Sequence, residues 1–160
     1  MEKLNIIYVD DQREVLTTVG NELSIFEDYV NLEECESANE VLELMEELDT
    51  EGDYTAVVIS DHVMPGKSGV ELLSTINSDV RYKNTKKILL TGMATHADTI
   101  KAINEAHINS YFEKPWQSTD LIQKVKELLT AFILEKGLAY QPYMPILDQG
   151  VLLSFLSKEV

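Results

Sequence analysis

One stretch limits the possible folds more than any other. Tyr54-Thr55-Ala56-Val57-Val58-Ile59-Ser60 is short, apolar and rich in β-branched residues, and it runs straight into Asp61. A segment apolar at every position has no face to give to water, so it reads as a strand covered on both sides, as in parallel sheets flanked by helices. After Asp61 come His62-Val63-Met64-Pro65-Gly66-Lys67-Ser68-Gly69, a loop punctuated by Pro65, Gly66 and Gly69. A carboxylate at the carboxyl end of such a strand faces the crevice where open α/β sheets bind ligands.

The rest of the chain alternates in the same manner. Leu4 to Val9 predicts a first strand ending at Asp10-Asp11, followed by a helix over 12–25 with Val15, Leu16, Val19, Leu23 and Phe26 on one face. Tyr29-Val30-Asn31-Leu32 predicts a weaker second strand towards an edge, and Glu33-Glu34-Cys35-Glu36 reads as acidic surface around a helix. Ser37 with Glu40 is a capping box for a helix carrying Val41, Leu42, Leu44, Met45 and Leu48; Ser68 with Glu71 is another, for Val70, Leu72, Leu73 and Ile76. Lys86 to Thr91 is a fourth strand. Thr95 and Asp98 open a fourth helix with Ile100 and Ile103 facing inward; Ile108 to Phe112 is a fifth strand, and Ser118 starts a fifth helix reaching Gly137. The fold class is therefore α/β, a doubly wound five-stranded parallel sheet. Right-handed crossovers put helices one and five on one face and two to four on the other.

The formal charge of −15 and pI near 4.4 exclude a nucleic-acid or anionic-membrane surface on this chain. Cys35, the single cysteine, forms no internal disulfide and suggests no zinc site, which fits a reducing cytoplasm. No signal sequence follows Met1, and no apolar run approaches the ~20 residues of a membrane span. His62, His96 and His107 show no ligand spacing, and Trp116 is expected near the rim of the site.

A parallel sheet gathers all strand carboxyl ends on one edge. Asp10, Asp11, Asp61, Thr91 and Lys114 follow strands one, three, four and five, so they converge there despite their distance in sequence. Each alone is ordinary: an acid pair that caps a helix, a strand threonine, a surface lysine. Together, three carboxylates call for a hard cation such as Mg²⁺, and lysine and hydroxyl beside it suit an exchangeable anion. This is apparatus for phosphoryl transfer, with an aspartate able to serve as nucleophile.

With these residues, 1–136 resembles the receiver domain of two-component response regulators, leaving 137–160 as a C-terminal extension. The resemblance implies the flavodoxin-like strand order 2-1-3-4-5, Asp61 as phosphoacceptor, and Mg²⁺ held by Asp11, Asp10 (through water), Asp61 and the Val63 backbone carbonyl. It further implies that Thr91 and Lys114 hold the phosphoryl group, that Lys114–Pro115 is cis, and that Tyr111 swings inward when Thr91 is drawn over. It implies a histidine kinase or phosphotransfer protein as donor, and a helix 4–strand 5–helix 5 face that changes for a partner or a homodimer. It implies no turnover enzyme beyond self-catalysed phosphotransfer and autodephosphorylation. Val63 and Met93, two positions after acceptor and threonine, cannot orient a water, so the acyl phosphate is expected not to be short-lived.

A Mg²⁺-dependent phosphohydrolase with an aspartyl nucleophile uses the same chemistry, but would want an acid where Val63 stands. An interaction module that is never phosphorylated is the third reading. In the extension, Pro142 and Pro145 prevent a regular helix over 138–145, and Ile146 to Leu156 predicts a short amphipathic helix broken or bent by Gly150. Its apolar residues fold back on the receiver, cross to a second copy, or open an output domain of phosphodiesterase or cyclase type.

Overall fold

The structure is a computed structural model that describes residues 2–92 and 96–158. Five parallel strands, β1 (Leu4–Val9), β2 (Asn31–Cys35), β3 (Tyr54–Asp61), β4 (Lys86–Thr91) and β5 (Ser110–Glu113), form one sheet in the order β2-β1-β3-β4-β5. The three inner strands are buried along nearly their whole length, as their continuous apolar runs require. Among the described residues six α-helices alternate with or follow them: α1 (Arg13–Leu23), α2 (Ala38–Thr50), α3 (Gly69–Asn77), α4 (His96–Lys101), α5 (Ser118–Glu135) and α6 (Gln149–Ser157). The fold is a doubly wound, flavodoxin-like α/β sheet with helices appended at its C-terminal end.

Two cores lie on opposite faces of the sheet. Leu16, Val19, Leu23 and Phe26 from α1 and the turn after it meet Leu121, Val125, Leu129 and Ile133 of α5 over β1 and β3. On the other side Val41 and Met45 of α2, Leu72, Leu73 and Ile76 of α3, and Ala102 and Ala106 pack on Ile7, Val58 and Leu89. This is the division that right-handed crossovers dictate. At α3 the Ser68 capping box is complete, with Ser68 accepting from the Glu71 N–H and Glu71 from the Ser68 N–H. At α2, Ser37 accepts from Glu40, but the Glu40 carboxylate bonds the Glu36 N–H instead of the cap residue's own.

Three expectations are corrected. The second strand begins at Asn31, not Tyr29, and it contains Glu33, Glu34 and Cys35. An edge strand can carry acids towards water while one residue, Cys35, turns inward. Burial, with help from nearby Glu40, Glu33 and Glu34, pushes the Cys35 thiol up to about 12. Ile100 and Ile103 do not face inward: they are 46% and 52% exposed, while the small Ala102 and Ala106 are buried. The helix changes there to a π-helix over Ala102–Ala106 and closes at His107 with φ of 50°. Finally, Gly150 does not break α6. It lies in the first turn, where Asp148 caps the helix by accepting from the Val151 N–H. Met93 and Thr95, named for the phosphate lifetime and the start of the fourth helix, lie outside the described residues.

The segment after α5 folds back on the same face as α1 and α5. Gly137 takes φ of 74° to turn the chain, and a 3₁₀ helix over Gln141–Ile146 accommodates Pro142 and Pro145. Tyr143, Ile146, Leu147 and Leu152 are then buried in the α1–α5 core. Polar bonds fix the register of α6 on α5: the Asp148 N–H donates to Thr130 Oγ1 at 2.8 Å, and Gln123 donates to Asp148 Oδ1 at 2.8 Å.

Candidate functional site

Four of the five strands, β1, β3, β4 and β5, deliver groups to the same edge. β1 ends at Val9 and places Asp10 and Asp11 in the loop before α1. Asp10 is 2% exposed: its Oδ1 accepts from the Gln12 N–H at 2.8 Å and its Oδ2 from Lys114 Nζ at 3.0 Å. Asp11 is exposed, and among the described residues its carboxylate has no hydrogen-bond or ion-pair partner. β3 carries Asp61 as its last residue, 7% exposed. Lys114, just past β5, brings its ammonium 3.0 Å from Asp61 as well. The structure thus brings together Asp10, Asp11, Asp61 and Lys114, with carboxylate oxygens of the three acids within 4.8 Å of one another.

The charges are unequal in their comfort. Burial raises the Asp61 carboxyl above its usual range, the Lys114 ammonium opposes this, and Asp10 adds to it. For Lys114, burial works against the charge, but bonds to Asp10 and Asp61 outweigh it and hold the ammonium above its ordinary value. Three acids gathered around one lysine make a cluster whose remaining negative charge a divalent cation would balance. The donor set is all oxygen, which suits a hard divalent ion and not a thiophilic one.

Thr91 ends β4 and is 1% exposed, and Gly92, Tyr111, Glu113 and Lys114 line a small crevice with it. Tyr111 is half-buried, and its hydroxyl donates to Glu113 Oε1 at 3.1 Å. Val63 is 56% exposed in the loop after Asp61. That loop is closed from behind: Gly69 donates to the His62 carbonyl at 2.8 Å, and a Cβ at Gly69 would collide with the Asp61 carbonyl. The peptide Lys114–Pro115 is cis. Trp116 packs partly buried against the α1–α5 core, and its indole N–H donates to the Glu22 carboxylate of α1, the closer oxygen at 3.0 Å. Sequence reading missed the double role of Asp10. The signal was present, since a side chain two residues before an N–H is a common capping geometry.

Five parallel strands in this order with an acid cluster at their carboxyl edge define a class of signalling domain. Residues 6–126 match the family described as "Response regulator receiver domain", and the chain belongs to that family. It is 30% identical over 126 residues to chemotaxis protein CheY1 of Helicobacter pylori, covering 79% of this chain and 97% of the relative. It is 31% identical over 86 residues to the hydrogenase transcriptional regulatory protein HoxA of Bradyrhizobium diazoefficiens, spanning only 17% of that longer protein. A solved signal receiver domain of an HD domain-containing protein from Pseudomonas fluorescens superposes with a TM-score of 0.73 at 28% identity, over 86% of this chain and 94% of the other. The chain is thus a receiver domain of the two-component type, a class of phosphoacceptors rather than turnover enzymes. Among the described residues no helix is long and apolar enough to cross a membrane.

Proposed function

We propose that the chain is a phosphorylation-dependent switch, with Asp61 accepting a phosphoryl group from the phosphohistidine of a histidine kinase or phosphotransfer protein. The observation that carries this reading is the shared lysine: one ammonium 3.0 Å from both Asp10 and Asp61, at the edge where three acids meet. Asp61 Oδ attacks phosphorus in line, the P–N bond to the donor imidazole breaks, and an acyl phosphate forms. Lys114 leaves its carboxylate partners to pair with the transferred oxygens. Thr91 donates its hydroxyl to one of them, and Tyr111 turns into the space that Thr91 leaves. Asp11, whose carboxylate is unengaged among the described residues, would hold Mg²⁺ together with Asp61 and the Val63 carbonyl, and Asp10, already bonded twice, would assist through water. Bound there, Mg²⁺ neutralises the charge that gathers on the phosphoryl oxygens.

We take 1–136 as the receiver unit and 137–160 as an extension docked on it, working in the cytoplasm where such donors act. The output is a change in the surface around α4, β5 and α5, read by a partner, a second copy or an attached domain. The attached domain is supported by the longer relative, of which the chain matches 17%; a separate partner or second copy is supported by the relative matched along 97% of its length. The test is incubation with acetyl phosphate and Mg²⁺, followed by phosphate-affinity electrophoresis. The parent chain takes up one acid-stable, base-labile phosphoryl group and Asp61→Asn takes up none. Equal uptake by both proteins would overturn the assignment.

A further inference from the structure

Lys87 is a charge that the phosphoryl chemistry leaves unused. It lies on β4, the strand that ends in Thr91, and is only 4% exposed. Its ammonium donates to Asn77 Oδ1 at 3.2 Å, and among the described residues no carboxylate is within ion-pair distance of it. An ammonium buried without a counter-charge is costly, and an apolar residue of the same volume would serve the core better. What the amine does is tie elements together.

Asn77 is the last residue of α3, and its Nδ2 donates to the Glu105 carbonyl at 3.5 Å, inside the π-helical turn that follows α4. The Lys87 backbone is fixed at the same place: its N–H donates to Asn109 Oδ1 at 2.8 Å, and its carbonyl accepts from the Asn109 N–H at 2.8 Å. One residue therefore joins α3, β4, the π turn and the chain entering β5. Among the described residues the buried apolar groups of the segment it reaches are the small Ala102 and Ala106, packed against α3, while Ile100 and Ile103 face water, and the segment ends in a π turn and a left-handed histidine. π turns and positive-φ residues other than glycine are sparsely populated states, kept where surrounding bonds enforce them.

We propose that Lys87 and Asn77 form a polar latch that holds the base of α4 in its resting seat, with Lys87 a positioning residue for the switch. Burial disfavours the charged form of Lys87, and Lys86 beside it adds to this; the bonds from Lys87 to Asn77 and from Asn77 to the Glu105 carbonyl are what make the latch. Its coupling to phosphorylation rests on the assignment of Asp61 and Thr91 above. A displacement of Thr91 acts on one end of α4 while the latch resists at the other. Opening the latch shifts the population towards the reseated helix before any phosphoryl group arrives.

Hydrogen–deuterium exchange of the full chain without phosphoryl donor tests the latch itself. Lys87→Met should speed exchange of the 99–106 amides by about tenfold or more relative to α2 and α5. Asn77→Ala, at a half-exposed position, should act in the same direction and secures the test if Lys87→Met fails to fold. Asn77→Asp keeps an acceptor for Lys87 but loses the amide that donates to the Glu105 carbonyl, so it too should speed the same amides. Unchanged exchange in this segment, or a uniform rise over all elements, overturns the latch. Acetyl phosphate kinetics then test the coupling: Lys87→Met and Asn77→Ala should both be phosphorylated about two- to tenfold faster than the parent. Equal rates overturn the coupling. Absence of phosphorylation in every protein, the parent included, would count against Asp61 and leave the exchange result standing.

Discussion

At Asp61 the chain keeps a carboxylate in a place that disfavours its charge. Its raised folded pKa means that the ionised form is penalised by folding: this cost is absent below the unfolded value and grows as pH rises through the folded one. Asp61→Asn should therefore stabilise the protein at pH 7, and the gain should vanish near pH 3. Urea midpoints of the two proteins at both pH values measure it. A less stable variant at pH 7 would mean that the pair with Lys114 outweighs burial. The same residues show what was legible beforehand. Asp10, Asp11, Asp61, Thr91 and Lys114 could be placed on one edge from strand order alone. Which acid of the pair is buried could not, because two adjacent aspartates after a strand differ only in the direction the turn gives them. Here the Gln12 N–H and Lys114 claim Asp10 and leave Asp11 in water.

Among the elements, α6 makes the clearest energetic claim. Leu152 is 3% exposed in the α1–α5 core, and Thr130 of α5, fully buried, spends its hydroxyl on the Asp148 N–H that starts the helix. Leu152→Ala should cost about 2–4 kcal/mol, measured as a fall in urea midpoint at unchanged slope. A loss under about 0.5 kcal/mol would show that the docking is loose. The strong periodic segments were readable: β1, β3, β4 and α3 fall where apolar runs and capping residues put them. The misplacements share one cause. At the edge strand β2, at α4 and in the extension, burial is decided by a neighbour that local sequence does not contain. α4 was read by its largest apolar residues, yet the close approach of α3 admits only Ala102 and Ala106. The extension offered apolar residues, but the α5 face that receives them is distant in sequence.

At the scale of the whole molecule, a charge of −15 makes the fold sensitive to cations, and the site makes that sensitivity specific. Millimolar Mg²⁺ should raise the melting temperature by about 2–6 °C over NaCl of equal ionic strength, and Asp11→Asn should lose the difference. Identical shifts with both salts in the parent protein would remove Mg²⁺ from the site. Cys35 adds a last property of the native ensemble. The chain's one thiol is 1% exposed and reluctant to ionise, so a disulfide reagent has nothing to attack while the sheet is closed. Each opening of the β2 edge releases one chromophore. The protein thus carries an internal clock for its own breathing, readable in a spectrophotometer without any label.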